Sequence, residues 1–363
     1  MVNGSLVSAG HQEMHDIAVV GSTLVAVGIH HSGEANDPNG WDAAVWVSSD
    51  GMTWTRVSNE PSLEVAGYQA MYGVVAGGPG FVAVGIDERE ANGDSDAAVW
   101  TSPDGVSWTR VVPDESTFGG PDMQGMFVVA SGPLGVVAVG VDGSRATVWF
   151  SPDGLTWTRV PHDEDLIGSP DQSGFGDVAW VGDHFVAVGS AALNGSHVAA
   201  VWISSDGVSW NRVPHDEEAF GIIGRQMAAI ASFDGGLVAV GSDADARAVV
   251  WTSQDDGVTW SRISDSDFGG LSPYGGRSEM YGVVAVHGGA IAVGRSEGLD
   301  GDSQAAVWGS DDGLWWRRLA VFVAPGEQRA NAVALFGGGA VAVGSDSSGR
   351  EVDAAVWICA EDA

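Results

Sequence analysis

Seven times along the chain an apolar run closes on glycine: LVAVG from Leu24, FVAVG from Phe81, VVAVG from Val136, FVAVG from Phe185, LVAVG from Leu237, AIAVG from Ala290 and AVAVG from Ala340. A polar stretch of variable length follows each, then a second apolar run ending on tryptophan, at Trp46, Trp100, Trp149, Trp202, Trp251, Trp308 or Trp357. Before each glycine-ended run stands a third, of the MYGVVAGG type, and after the tryptophan comes a fourth, of the SWTRV type. Short runs rich in Val, Ile, Thr and Trp between Gly-rich turns read as strands, while the spacing of an amphipathic helix has little support. With the four runs lettered A to D, the unit recurs about every fifty residues, a period in the range of propeller blades. The expectation is an all-β, single-domain, seven-bladed β-propeller of four-stranded antiparallel blades over residues 1-363. Its approximate repeats are 11-57, 68-111, 122-160, 172-213, 225-263, 277-319 and 328-358.

Nearly all of the 16 tryptophans fall at two blade positions, the end of strand C and the start of strand D, as Trp100 and Trp108 do. Large rings at fixed positions suit the wedge-shaped gap between radially arranged blades. The seventh repeat stops at AAVWICAEDA without a strand D of its own, and an unpaired edge invites aggregation. Residues 1-9, around SLVSA (Ser5 to Ala9), are therefore expected to supply the closing strand, with both termini in one blade.

The turn from C into D repeats most closely, with SPDGVSW at Ser102 and counterparts at Ser48, Ser151, Ser204, Ser253 and Ser310. At Ser253 it reads SQDDGVTW, which matches the Ser-x-Asp-x-Gly-x-Thr-Trp pattern of the Asp-box; the other five are shorter by one residue between Asp and Gly. The chain thus resembles Asp-box (BNR-like) repeat propellers, the sialidase-like superfamily, over essentially its full length. Asp and Ser bond the turn backbone, Gly takes a positive φ and Trp anchors the hairpin. Asp50, Asp104, Asp153, Asp206, Asp255 and Asp312 accordingly read as structural. The resemblance implies a fold more than an activity, and in such folds these turns lie opposite the usual ligand face.

A net charge of −33, with all fifteen cations arginine and no lysine, argues against nucleic acid or an anionic membrane surface as partner. The absence of lysine fits high-salt adaptation or codon bias equally. Cys359 is the single cysteine, so one chain forms no disulfide framework or thiolate metal cluster. No run of about eighteen apolar residues appears, so no membrane insertion is expected. The compartment stays open; an extracellular or cell-surface place after removal of a signal is one reading. A monomer is the default, because a closed ring leaves no free edge.

Loops joining D to A and B to C are the place to look for a site. Aligned on the glycine-ended runs, Gln12, Gln69, Gln124, Ser173, Arg225, Ser278 and Gln328 hold one position near the start of strand A, a polar ring at the channel mouth. Either these side chains bond neighbouring blades and water, or a small ligand or anion is held there by Arg225, Arg277 and Arg329. The D-to-A loops are acidic: Asp163, Glu164, Asp165 and Asp171 in one, Asp216, Glu217 and Glu218 in another. They offer oxygen ligands to Ca²⁺, the one cofactor suggested, or form a solvated rim. His162 and His215 recur at one repeat position, which favours loop packing.

The resemblance to sialidases implies three arginines on a substrate carboxylate, a tyrosine nucleophile activated by a glutamate, and an aspartate acid/base. Arg225, Arg277 and Arg329 stand near the starts of three successive strands A, while the N-terminal arginine motif of that family is not visible. Of Tyr68, Tyr72, Tyr274 and Tyr281, Tyr72 and Tyr281 share a position inside strand A and read as blade packing; Tyr68 and Tyr274 lie in D-to-A loops. No phosphate loop, nucleophile elbow or His-rich metal signature is present. The leading expectation is a non-enzymatic scaffold that binds a protein or carbohydrate partner through its loop face, or a repeat-amplified protein without a dedicated ligand. The alternative is a sialidase-like glycoside hydrolase.

Overall fold

The computed structural model of the protein describes residues 2–6, 10–32, 40–58, 60–88, 95–161, 173–221, 223–263, 276–298, 301–349 and 351–360. The chain is all-β, a seven-bladed β-propeller whose blades are four-stranded antiparallel sheets. It divides into two compact units, Met1–His162 with Ala334–Ser345 and Gly349–Ala363, and Asp163–Val333 with Asp346–Ser348.

The first unit begins with β1 (Val2–Leu6) and continues with blade one: β2 (His11–Val20), β3 (Thr23–His31), β4 (Asp42–Ser48) and β5 (Thr55–Arg56). Blade two holds β6 (Tyr68–Gly77), β7 (Gly80–Glu88), β8 (Asp96–Ser102) and β9 (Thr109–Arg110). After a single helical turn, α1 (Glu115–Phe118), blade three holds β10 (Gln124–Gly132), β11 (Gly135–Asp142), β12 (Arg145–Ser151) and β13 (Thr158–Arg159).

In the second unit, blade four is β14 (Ser173–Val181), β15 (His184–Leu193), β16 (Ser196–Ser204) and β17 (Asn211–Arg212), followed by the turn α2 (Glu217–Phe220). Blade five is β18 (Gln226–Phe233), β19 (Gly236–Ser242), β20 (Ala248–Ser253) and β21 (Ser261–Ile263). Blade six is β22 (Ser278–Val286), β23 (Gly289–Glu297), β24 (Ser303–Ser310) and β25 (Trp316–Phe322).

The seventh sheet comprises β26 (Gln328–Phe336), β27 (Gly339–Asp346) and β28 (Asp353–Ala360), in the order β1-β28-β27-β26. Both ends of the chain therefore share one blade. Val2 opposes Ile358 and Leu6 opposes Ala354, so the closing strand starts earlier than the SLVSA stretch.

The repeated glycine has a steric cause. Strand A carries a one-residue bulge in six blades, after Met14, Met71, Met126, Phe175, Met227 and Met280. Beside each bulge strand A crowds strand B: a Cβ on Gly28, Gly85 or Gly294 would stand 1.9 Å from the carbonyl oxygen of Glu13, Ala70 or Glu279. Only glycine admits that approach. Strand D is short where proline follows it closely, as Pro113, Pro161 and Pro214 do, because proline cannot extend the ladder. In blade six no proline intervenes until Pro325, and β25 runs on to Phe322.

The seven strand-C tryptophans are 0–2% exposed. Burying such a ring transfers roughly 150–250 Å² from water, about 4–6 kcal/mol at about 25 cal/mol per Å². In the first unit, Val25, Val27 and Val45 of blade one pack with Met71, Phe81, Trp100 and Trp108 of blade two. In the second, Val186 and Val188 of blade four pack with Leu237, Trp251 and Trp260 of blade five.

The C-to-D turns are self-contained. The Asp104 carboxylate accepts from the backbone N–H groups of Val106 and Ser107 at 2.9 and 2.8 Å, Ser102 Oγ accepts from Gly105 N–H at 2.8 Å, and Trp108 Nε1 donates to the Gly105 carbonyl at 2.9 Å. Gly105 has φ +80°. Asp50 does the same with Met52 and Thr53, and those bonds hold its carboxyl at about 2, below the usual range. The turn carboxylates are thus occupied by their own backbone.

Candidate functional site

Ser278, at 0% exposed, and the four glutamines of the expected polar ring prove to be interior residues. Gln12 is 2% exposed, and Gln69, Gln124 and Gln328 are 0% exposed. The side-chain amides of Gln69, Gln124 and Gln328 donate to strand-B aspartates of their own blades, Asp87, Asp142 and Asp346, at 3.3, 2.9 and 3.3 Å. Such burial sets these amides inside their own blades. Arg225 belongs to blade five, where burial, with Arg262 nearby, holds its guanidinium below the usual value.

Arg277 and Arg329 have a different setting. In blade six, Arg277 just precedes β22, and its backbone N–H donates to the Glu297 carboxylate at 2.9 Å. Glu297 ends β23, two residues beyond Arg295, and both line an opening of about 330 Å³ with Arg277, Gly301, Ser303 and Glu327. The lining comes from the D-to-A segments that carry Arg277 and Glu327 and from the B-to-C connection of blade six. Behind it, Arg295 stands opposite Glu279 across the β22–β23 ladder and forms an ion pair with it. Glu279 also accepts from the Tyr281 hydroxyl at 2.7 Å. Arg329 lies over the Tyr281 ring, with its guanidinium carbon 4.1 Å from the ring centroid. Burial first, and then the bond to Glu279, pushes the Tyr281 phenol far above its ordinary value, although Arg329 pulls it down.

The cluster thus has a closed half and an open half. Arg295, Glu279 and Tyr281 answer one another. The exposed guanidinium groups of Arg277 and Arg329 have no carboxylate partner among the described residues, on a chain whose net charge is −33. An arginine fork in that state is ready for a carboxylate or another planar anion.

The acidic loops divide. Asp216 caps the first turn of α2, accepting from Glu218 N–H at 2.9 Å, and Glu217 and Glu218 project from that turn, exposed. Asp163, Glu164, Asp165, Asp171 and His162 lie outside the described residues, as does Tyr274. Among the described residues no three His, Cys, Asp or Glu side chains converge on a metal position. Tyr68 and Tyr72 stand together in the first unit, their hydroxyls 3.4 Å apart and Tyr72 stacked on His15. Sequence reasoning missed Glu279, Arg295, Glu297 and Glu327. One signal was available: Arg295 faces Glu279 at a strand-B position where the first three repeats carry the apolar Ile29, Ile86 and Val141.

The fold is a β-propeller, similar in arrangement to the propellers of sialidases. Among solved structures, Trypanosoma rangeli sialidase is similar over 96% of this chain with a TM-score of 0.54 and 16% identity. A mutant of that enzyme displaying trans-sialidase activity is similar over 97% with a TM-score of 0.52 and 16% identity. The chain spans 54% of the length of each of these structures. Neither the family models nor the curated proteins contain a match to the chain.

Proposed function

We propose that the protein is a non-enzymatic propeller scaffold that binds an acidic carbohydrate on the loop face of blades six and seven. The observation that carries this reading is the exposed Arg277 guanidinium at an opening of about 330 Å³, with the exposed Arg329 stacked on Tyr281 and neither paired with a carboxylate among the described residues of a strongly acidic chain. A sugar carboxylate takes a charge-assisted hydrogen bond from each, worth roughly 1.5–3 kcal/mol apiece. Tyr281, Ser303 and the Glu297 and Glu327 carboxylates supply acceptors and donors for hydroxyl groups. The C-to-D turns, read as Asp-boxes, serve as fasteners.

A second reading, sialidase-like hydrolysis, is favoured by one contact, the Tyr281 hydroxyl donating to Glu279. We rank it lower because a phenolic nucleophile needs a lowered pKa or a free base. Here the phenol is raised and the base is already paired with Arg295. Calorimetric titration with sialic acid, alongside a turnover assay on a fluorogenic sialoside, separates the two. Saturable binding without product is expected, weakened about tenfold or more in Arg277→Gln and Arg329→Gln. Turnover abolished by Tyr281→Phe establishes the hydrolase instead, and the absence of both binding and turnover overturns both readings for this ligand.

A further inference from the structure

The opening beside Arg277 is lined by charge of both signs: Arg277 and Arg295, Glu297 and Glu327, with the Ser303 hydroxyl among them. Arg295 is already paired with Glu279. Among the described residues neither the Arg277 guanidinium nor the carboxylates of Glu297 and Glu327 form an ion pair.

The backbone, and not mutual attraction, fixes these charges. Glu297 N–H donates to the Arg277 carbonyl at 2.8 Å, and Arg277 N–H donates to the Glu297 carboxylate at 2.9 Å. That carboxylate is therefore held by the peptide group of Arg277 while the guanidinium stays exposed. Glu327 N–H donates to Ser347 Oγ at 3.0 Å, and its carbonyl accepts from Ser347 N–H at 2.8 Å. Glu327 also acts on Arg295 without pairing with it. Burial draws the Arg295 guanidinium down, yet Tyr281, Glu279 and, last, Glu327 leave it above the usual value.

The charges left for a ligand thus balance: Arg277, with Arg329 on the nearby Tyr281 ring, against Glu297 and Glu327. A purely acidic ligand answers the arginines but brings another negative charge to the two carboxylates, which costs affinity. A ligand that carries both signs answers all four. We propose, on the reading that the ligand is an acidic carbohydrate, that the opening selects a zwitterionic sugar acid, one whose amino group is free and protonated and not acylated. Its carboxylate faces Arg277 and Arg329, and its ammonium faces Glu297 and Glu327. An ammonium offers three charge-assisted N–H bonds, whereas acylation removes the charge and leaves one N–H. The volume of about 330 Å³ stands at the small end of ligand pockets, about 300–1,000 Å³, and suits a single sugar ring.

Calorimetric titration at about pH 6, where a sugar amine is protonated, compares muramic acid with N-acetylmuramic acid, which differ only in acylation of that amine. Muramic acid is expected to bind about tenfold more tightly. Glu327→Gln alters an exposed side chain that makes no bond of its own, so the variant is expected to fold. It should remove most of the difference by weakening muramic acid, whereas Arg277→Gln should weaken both acids. Equal affinities in the unmodified protein, the reverse order, or a preference untouched by Glu327→Gln overturns the zwitterion proposal and leaves an acidic-sugar site standing. Failure of both acids and of sialic acid to bind overturns the site itself.

Discussion

Asp16 sits beside the strand-A bulge of blade one with its carboxylate half-buried between blades. Oδ1 accepts from Ile17 N–H and Oδ2 from Val74 N–H of blade two, both at 2.8 Å. Burial drives its pKa up to about 6 from an ordinary 3.8, and the two N–H donors offset only part of that. A folded value above the unfolded one means that protonation favours the native state. The contribution is complete below about pH 4, falls as pH rises through about 6, and has gone by about pH 7. A shift of about 2 units corresponds to about 3 kcal/mol. Urea unfolding followed by tryptophan fluorescence between about pH 4.5 and 7.5, on the unmodified protein and on Asp16→Asn, measures it. An amide offers one acceptor oxygen, so the variant loses about 1–3 kcal/mol at every pH for the N–H left unanswered. Only the unmodified protein should also lose about 1.4 kcal/mol per pH unit in mid-window. Histidines titrating in the same range cancel in the difference, and Asp50, held at about 2, titrates below it. A difference between the two proteins that stays constant within about 0.5 kcal/mol across the range would refute the reasoning.

Two further outcomes follow from the blade geometry. Gly85→Ala brings a Cβ to 1.9 Å from the Ala70 carbonyl oxygen and should destabilise by about 1–3 kcal/mol or more, whereas Gly182→Asn, with φ +55° and no atom within 4 Å, should be nearly neutral in the same urea titration. Ser102→Ala leaves the Gly105 N–H without its acceptor inside a C-to-D turn, so a loss of about 1 kcal/mol is expected, with the fold intact by circular dichroism.

The strands, the blade count and the glycine positions were readable because continuous apolar runs, tryptophans and turn residues recur with the blade, and each reports a local constraint. The two helical turns were not. PDESTF and HDEEAF carry an N-capping aspartate, Asp114 or Asp216, and a buried phenylalanine, Phe118 or Phe220. Four residues are too few to show a helical period, and the acidic composition reads equally as a solvated rim. The glutamine position was found, but its depth was not. Alignment places Gln69 at the start of a strand, while only the partner strand, with Asp87 opposite and Arg110 beyond, shows that the amide points into the blade. Arg277 and Arg329 were legible as cations near strand starts; Tyr281 and Glu279 gained meaning only when Arg295 was seen across the ladder.

Seven copies of one blade provide an internal control for separating fastening from function. Several residues that recur do the same work in more than one blade: Gln69 and Gln124 bond Asp87 and Asp142, and Trp100 and Trp149 donate to the carbonyls of Ser62 and Thr117. Chemistry outside that shared scheme must enter where one blade departs from it. Blade six departs by adding charge, with Glu279 and Arg295 facing each other where the facing residues of blade two are Ala70 and Ile86. Blade four departs by subtraction, with Ala191 where blades two and three carry Asp87 and Asp142. An added pair that satisfies itself can frame a site without weakening the blade, because neither charge is left uncompensated. The evidence that the added charge of blade six carries function is therefore loss of affinity on removing Arg277 or Arg329, with the Glu279–Arg295 pair and the stability of the blade left intact.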